Sequence, residues 1–165
     1  MTTLYLAGGL FNAGDRLHNL YLEKHLKALG YEVILPQREA LKFFDGSDFN
    51  VAGIVEDCRA SSANSRNLFV GNADGADADS GTCVEYGIAI TVTWRAIIYR
   101  TDFRTAPEKE VGVNAMLGAK GTKFIYHPCY FTELEQVDVY YQALALKIDE
   151  IIRGMSLYPA LAAAS

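Results

Sequence analysis

The sequence lacks the segments that direct a chain into or across a membrane, and it contains little cysteine. No apolar run approaches the roughly 20 residues of a membrane-spanning helix. The N-terminus, MTTLYLAGGLFNAGD, has neither the basic region nor the long apolar stretch of a signal peptide. Cys58, Cys83 and Cys129 are odd in number and have no paired spacing, which indicates neither a disulfide framework nor a zinc motif. We therefore expect a cytoplasmic protein.

An excess of basic charge is also missing. Lys and Arg total 15 against 20 for Asp and Glu, which gives a net charge of -5. A protein that follows a nucleic-acid backbone normally presents a basic face, so nucleic acid is disfavoured as a partner. The chain has 165 residues, of which 50% are hydrophobic and 21% are charged, as is typical of a globular protein with one core. We expect one domain over residues 1–165, with no clear structural signal in the tail 157–165.

Short β-rich apolar runs alternate with segments of helical periodicity. The pattern predicts strands at residues 4–7, 31–35, 68–70, 96–99 and 123–126. It predicts helices at residues 15–29, 49–63, 81–93 and 132–153. Such alternation indicates a parallel sheet covered by helices on both faces. We expect a flavodoxin-like, doubly wound α/β fold with strand order 2-1-3-4-5, in which ligands bind at the carboxyl ends of strands one and three.

The segment 79–87, after the acidic loop that follows strand three, carries the strongest chemical signal. Thr82 and Glu85 have the spacing of a capping box, in which the glutamate only closes a helix N-terminus, and taken alone this structural interpretation is favoured. Chemistry is favoured by the position of Glu85 at the predicted crevice and by the extra aspartates in the loop. A helix N-terminus would also stabilise the ionised carboxylate that a nucleophile requires.

Paired carboxylates are the usual means of breaking a glycosidic bond through an oxocarbenium-like transition state. Asp57, on the second predicted helix, is a candidate for the second group, with a solvated helix aspartate as the simpler interpretation. Tyr5, in strand one, is placed either to hydrogen-bond a carboxylate at the crevice or to fill the core. Asn114 and Met116 fall in the long connection after strand four, where a lid, a subunit contact or ordinary loop residues are all compatible with the pattern.

Cofactor and metal motifs are not found. Gly8 ends strand one and would allow a ligand close to the backbone or simply form a tight turn. Neither GxGxxG nor GxxxxGK[ST] is present, so a dinucleotide or triphosphate site is disfavoured. The acidic loop does not match a calcium-binding loop, and the three histidines are scattered. We expect no cofactor and no metal.

These residues, in this order, resemble the nucleoside 2-deoxyribosyltransferase family. The resemblance covers residues 4–152 and rests on three dispersed motifs. They are Leu4-Tyr5-Leu6-Ala7-Gly8 with Phe11, then Asp79-x-Gly81-Thr82-x-x-Glu85-x-Gly87, then Asn114-Ala115-Met116. The first motif resembles the family's opening strand and substrate-facing loop. The resemblance implies an enzyme without a cofactor that acts on 2'-deoxynucleosides and forms hexamers built from dimers.

The resemblance also implies a role for individual residues. Glu85 matches the nucleophile that forms a covalent deoxyribosyl-enzyme, and Tyr5 matches the tyrosine that orients it. Asp79 matches an aspartate that binds the sugar hydroxyls. Asp57 matches an aspartate at the nucleobase, proposed as proton donor, although this match requires about two extra residues before strand three.

Two further regions of the family concern the neighbouring subunit and the base. Asn114 and Met116 match residues that reach the site of a neighbouring subunit. Many members place a base-binding glutamine four residues after the proline that ends strand two, where this chain has Ala40. Gln37 and Glu39 are the candidate substitutes, which leaves the choice between purine and pyrimidine open.

The sequence therefore predicts transfer of the 2-deoxyribosyl group between nucleobases, with hydrolysis as a side reaction. An alternative is a 2'-deoxynucleoside 5'-monophosphate N-hydrolase of the same superfamily. Such enzymes tend to carry serines where Asp79 and Asn114 stand, and an aspartate would repel a phosphate dianion. A non-catalytic nucleoside-binding module is a third possibility on the same fold. The presence of both Tyr5 and Glu85 weighs against it.

Overall fold

The computed structural model of the chain describes residues 2–104 and 112–156. Within these residues, one sheet contains five parallel strands in the order β2-β1-β3-β4-β5. The strands are β1 (Thr3–Ala7), β2 (Glu32–Ile34), β3 (Asn67–Asn72), β4 (Ala96–Arg100) and β5 (Thr122–Tyr126). The α-helices of the described part are α1 (Ala13–Ala28), α2 (Pro36–Glu39), α3 (Val51–Ser62), α4 (Ser80–Thr93) and α5 (Glu135–Ser156). The predicted α/β class and strand order are confirmed.

Helices cover both faces of the sheet. Successive residues of each central strand point to opposite faces and therefore contribute to two separate cores. One core lies between the sheet and α1 with α5, and includes Leu6, Val70 and Leu144. The other lies between the sheet and α4, and includes Tyr5 and Tyr86. Strands buried on both faces are near-continuous apolar runs, as expected for a parallel sheet. The face of β1 that carries Tyr5 therefore packs against α4, the helix that carries Glu85.

The segment between β2 and α3 differs most from the prediction. It contains the four-residue helix α2, a 3-10 helix (Ala40–Phe43) and an isolated antiparallel bridge between Phe44 and Phe49. A Cβ on Gly53 of α3 would lie 2.6 Å from the Phe43 ring, so this glycine allows the segment to pack closely on the helix. These elements are too short to show helical periodicity in the sequence.

The loop after β3 is attached firmly to β4. The Asp74 carboxylate accepts hydrogen bonds from the Thr101 backbone N–H at 2.6 Å, from the Thr101 hydroxyl at 2.5 Å and from the Asp102 N–H at 2.8 Å. The buried Arg100 guanidinium donates to the carbonyls of Ala73 at 2.7 Å and Gly75 at 2.9 Å. The acidic loop thus begins with a structural carboxylate rather than a chemical one.

No helix among the described residues is both long and apolar enough to cross a membrane. The tail 157–165 lies outside the described residues, as do residues 105–111 of the connection after β4.

Candidate active site

A cavity of about 730 Å³ lies at the carboxyl ends of β1 and β3. Its walls come from the loop after β1, the segment after β2, α3 and the first half of α4. The position agrees with the crevice expected at the point where the strand order reverses. Most of the lining side chains are apolar, and the volume falls in the range typical of small-molecule sites.

Glu85 lines this cavity, and the buried Tyr5 contacts it from the core. The Tyr5 hydroxyl donates a hydrogen bond to Glu85 Oε1 at 2.7 Å. Burial, reinforced by the Glu85 carboxylate, raises the pKa of the Tyr5 hydroxyl far above its usual range, so the phenol remains a donor. Burial also raises the pKa of Glu85, while the hydrogen bond from Tyr5 opposes the rise. The pair presents a carboxylate held in one orientation at a largely apolar cavity.

Asp79, rather than Thr82, caps helix α4. Its Oδ2 accepts from the Thr82 backbone N–H at 2.9 Å and from the Thr82 hydroxyl at 3.1 Å. The capping box considered from the sequence is therefore wrong, and Glu85 lies in the second turn with no capping function. The favourable effect of a helix N-terminus falls off within the first turn, so it contributes little to the ionisation of Glu85. Asp79 itself also lines the cavity.

Asp57 and its neighbour Cys58 point to different surroundings. Adjacent residues of an α-helix are about 100° apart around its axis, so only one of two neighbours faces a given wall. Cys58 lines the cavity, whereas Asp57 is not among the lining residues. The sequence analysis missed Cys58, since a single cysteine on a helix with irregular apolar spacing gives no signal.

Gln37 lines the cavity, yet its amide is already engaged. Its Oε1 accepts from Asn19 Nδ2 at 3.0 Å, and its Nε2 donates to the Arg16 carbonyl at 3.2 Å. Asn19 also donates to the Gly9 carbonyl at 3.0 Å. This buried network attaches the loop after β1 to α1 and α2. One N–H and one lone pair of the Gln37 amide stay available for a ligand.

The remaining predicted residues occupy two locations. Gly8 lines the cavity, and a Cβ there would lie 3.1 Å from the Asn72 Cβ, so glycine permits close approach of the two strand ends. Phe11 also lines the cavity and is 84% exposed. Asn114 and Met116 do not line it: Asn114 Oδ1 accepts from the Met116 N–H at 3.0 Å, and Met116 is 81% exposed. Within one chain these two residues do not join Glu85.

Two arginines in the cavity wall were not anticipated. Arg16 comes from α1 and Arg59 from α3, and both are largely exposed. Among the described residues, no group of three or more His, Cys, Asp or Glu side chains is placed to hold a metal ion.

Comparisons with solved structures give the same fold. A conserved protein from Enterococcus faecalis V583 is 20% identical with a TM-score of 0.66, covering 91% of this chain and 98% of its own. A 2-deoxyribosyltransferase from Bacillus psychrosaccharolyticus is 20% identical with a TM-score of 0.51, covering 87% and 96%. A CMP N-glycosidase from Clostridium botulinum is 15% identical with a TM-score of 0.56, covering 88% and 99%. At these identities the likeness shows the fold alone.

Sequence comparison identifies the family. No curated protein sequence matches the chain. The model of the nucleoside 2-deoxyribosyltransferase family matches residues 4–124, which include the cavity walls and the three motifs quoted above. The match extends over well more than half of the chain and confirms the resemblance. The chain therefore belongs to the nucleoside 2-deoxyribosyltransferase family, whose members are enzymes that act on nucleosides.

Proposed function

We propose that the protein transfers the 2-deoxyribosyl group of a 2'-deoxynucleoside from one nucleobase to another. The observation that carries this proposal is the 2.7 Å hydrogen bond from Tyr5 to Glu85 at the wall of a nucleoside-sized cavity. A half-buried carboxylate held by a hydrogen bond beside a largely apolar cavity is suited to attack at an anomeric carbon.

The reaction has two displacements. Glu85 attacks C1' of the nucleoside, the bond from C1' to the base nitrogen breaks, and its electron pair leaves with the base, which takes up a proton. A second base then attacks C1' and releases Glu85, so the configuration at C1' is retained. Water competes as acceptor and gives hydrolysis. Tyr5 holds one carboxylate oxygen throughout and thereby limits rotation of the nucleophile.

The leaving base also requires a proton donor. Asp57 stays our prediction for this role, although its side chain is not among those lining the cavity. Asp79 is in a better position for its predicted contact with a sugar hydroxyl. Asp79 lines the cavity, and its Oδ2 caps α4, so Oδ1 has no part in the cap.

Apolar contact dominates the part of the cavity formed by the segment after β2 and by α3. Leu41, Phe49 and Val55 line this region, with the spare donor and acceptor of Gln37 nearby along the chain. Phe49 is stabilised by its partner Phe44, with ring centroids 4.8 Å apart. Recognition by apolar contact tolerates different planar bases, as an enzyme that exchanges one base for another requires.

A 2'-deoxynucleoside 5'-monophosphate N-hydrolase is the second candidate. It is favoured by Arg16 and Arg59, since guanidinium groups in the cavity wall attract a phosphate. A CMP N-glycosidase among the structural neighbours has a comparable fold. The negative charge of Asp79 at the same cavity opposes a phosphate dianion, and for this reason we prefer the uncharged 5'-hydroxyl.

We also propose that the active sites are completed in a homo-oligomer, a hexamer built from dimers. Met116 is 81% exposed and Asn114 lies outside the cavity, so within one chain neither residue has a role at Glu85. A neighbouring subunit that supplies Asn114 and Met116 would shelter the glycosyl-enzyme from water, and the flexible methionine suits contact with a planar base.

Product analysis separates these functions. The protein is incubated with deoxyinosine and free adenine, and in parallel with deoxynucleoside 5'-monophosphates, and products are resolved by chromatography. Transfer predicts deoxyadenosine in the first reaction, and Glu85→Gln should abolish it while Cys129→Ala, on the loop after β5, should not. Free base from monophosphates alone would establish the hydrolase instead. Binding of nucleoside without any bond cleavage would contradict both enzymes.

A further inference from the structure

Two buried side-chain amides connect the loop after β1 to the wall of the cavity. Asn19 on α1 is 3% exposed, and Gln37 on α2 is 5% exposed. Asn19 Nδ2 donates to the Gly9 carbonyl at 3.0 Å and to Gln37 Oε1 at 3.0 Å. Gln37 Nε2 in turn donates to the Arg16 carbonyl at 3.2 Å. Gln37 lines the cavity and Asn19 does not, so Asn19 supports the wall from the protein side.

The two backbone carbonyls at its ends determine the direction of this hydrogen-bonded chain. A carbonyl can only accept, so the Asn19 atom that contacts the Gly9 oxygen is the amide nitrogen. Its second N–H then requires the oxygen of Gln37, and the Gln37 nitrogen is left to donate to the Arg16 carbonyl. Rotation of either amide by 180° would place two acceptors or two donors against each other. Both amides are therefore held in one orientation.

We propose that Asn19 is a positioning residue for nucleobase recognition, which fixes the orientation of the Gln37 amide at the cavity wall. The assignment rests on the proposed function, in which the cavity binds nucleobases. In this orientation Gln37 retains one N–H and one lone pair for a ligand. A base edge with an acceptor beside a donor, as in adenine, hypoxanthine and cytosine, is complementary to that pair.

Loss of Asn19 would affect the base through the rotation of the Gln37 amide. The last torsion of a glutamine side chain is broad and roughly two-fold, so it does not by itself choose between the two rotations. The Arg16 carbonyl still favours the nitrogen, but nothing then holds the Gln37 oxygen toward α1. The base should therefore bind more weakly by the equivalent of about one neutral hydrogen bond, which is about two- to tenfold in affinity.

The test compares two products of one intermediate. In the proposed reaction the glycosyl-enzyme is divided between the acceptor base and water. Deoxyinosine and free adenine, with adenine below saturation, then give deoxyadenosine by transfer and free deoxyribose by hydrolysis. The initial ratio of these products measures recognition of the acceptor base. It does not depend on the folded fraction of the enzyme or on the rate of the first displacement.

The variants separate the hydrogen-bonding role of Asn19 from its packing. Asn19→Leu removes both donors at similar volume, and Asn19→Asp retains the shape but replaces the donor by an acceptor. Gln37→Met removes the amide that is positioned. Asn67→Leu is the matched control, because Asn67 is 7% exposed and donates to the Ser61 carbonyl at 2.9 Å. It begins β3, at the end of the strand opposite to the cavity.

We expect the ratio of transfer to hydrolysis to fall about two- to tenfold in Asn19→Leu and Asn19→Asp. It should keep the wild-type value in Asn67→Leu. In a chain that already carries Gln37→Met, Asn19→Leu should cause little further loss, because residues that act through one another are not additive. The affinity for adenine, measured by calorimetry without turnover, should follow the same order.

Two results would overturn the inference. One is an unchanged ratio in both Asn19→Leu and Asn19→Asp, and the other is full additivity of Asn19→Leu and Gln37→Met. A purely structural asparagine would lower the thermal midpoint, as Asn67→Leu should, without changing the ratio. If the wild type cleaves no deoxynucleoside but the variants rank as expected in adenine affinity, the proposed function fails while the role of Asn19 stands.

Discussion

The hydrogen bond from Tyr5 to Glu85 can be tested by Tyr5→Phe, which removes one oxygen atom and retains the ring. A hydrogen bond to a charged group contributes about 1.5–3 kcal/mol. About 1.4 kcal/mol corresponds to a tenfold rate change, so kcat/KM should fall about 10- to 100-fold. The aromatic contact with Phe69, with centroids 6.2 Å apart, is preserved.

The pH profile separates the two effects of Tyr5. Without its donor, the ionised form of Glu85 is less stable, so the pKa of Glu85 rises further and the acid limb of kcat/KM moves to higher pH. The part of the loss in kcat/KM that comes from reduced ionisation disappears at pH values where Glu85 is fully charged. The part that comes from misorientation of the carboxylate persists there. The assay is kcat/KM for deoxynucleoside cleavage measured across the acid and neutral range.

Tyr86→Phe is a matched control. Tyr86 belongs to the same core cluster and its hydroxyl bonds with the Thr122 hydroxyl at 2.6 Å, away from Glu85. The Tyr86→Phe variant should lose stability without a shift of the acid limb of kcat/KM, because the Ala119 backbone N–H and the Thr122 hydroxyl lose their hydrogen-bonding partner. If Tyr5→Phe retains wild-type kcat/KM and an unchanged acid limb, the orienting role of Tyr5 is refuted.

Three further predictions concern the nucleophile, the sugar end of the cavity and the assembly. Glu85→Gln should abolish turnover, at least about 100-fold. Burial raises the pKa of the Glu85 carboxyl in the folded protein above its value in the unfolded chain. The wild type therefore loses stability as the pH rises between these two pKa values. The thermal midpoint of Glu85→Gln should exceed that of wild type at neutral pH and converge with it in acid. Asp79→Ser keeps a good N-cap residue and should improve kcat/KM for 5'-monophosphates relative to nucleosides; an unchanged ratio would remove Asp79 from substrate selection. Mixing dissociated Glu85→Ala chains with an Asn114→Ala, Met116→Ala double variant should restore activity on reassembly, whereas an active monomer in light scattering would contradict shared sites.

Much of the fold was predictable because the parallel strands are continuous apolar runs between helical segments. The β3 strand is longer than expected, Asn67–Asn72 in place of residues 68–70, since polar asparagines at both ends interrupt the apolar pattern without interrupting the ladder. The last helix begins at Glu135, three residues later than predicted. The segment with α2 and Phe44 was not predictable, because each of its helices is only about one turn long and shows no repeating apolar pattern.

The candidate site was predictable for residues whose position follows from the order of the strands. It was not predictable where the rotation of a helix about its own axis decides which side chain faces the cavity. Tyr5 lies within β1, Gly8 directly follows it, and Asp79 caps the helix that follows β3, so the topology alone brings them to one edge of the sheet. The distinction between Asp57 and Cys58 depends on a rotation of about 100° about α3, which irregular apolar spacing does not determine. The distance of α3 from Glu85 is set by the packing of α3 against α4.

The clamp formed by Asp74 and Arg100 attaches the loop that leads to Asp79 to the end of strand β4. That end of the cavity is thereby anchored to the sheet. The opposite wall, residues 41–55, lies outside the sheet, and its bridge between Phe44 and Phe49 joins two of its own residues. Under the proposed function, we expect substitutions in that wall to alter which base is accepted without disturbing Glu85 and Tyr5. Libraries directed to residues 40–55 are therefore the natural starting point for engineering new base preferences into this enzyme.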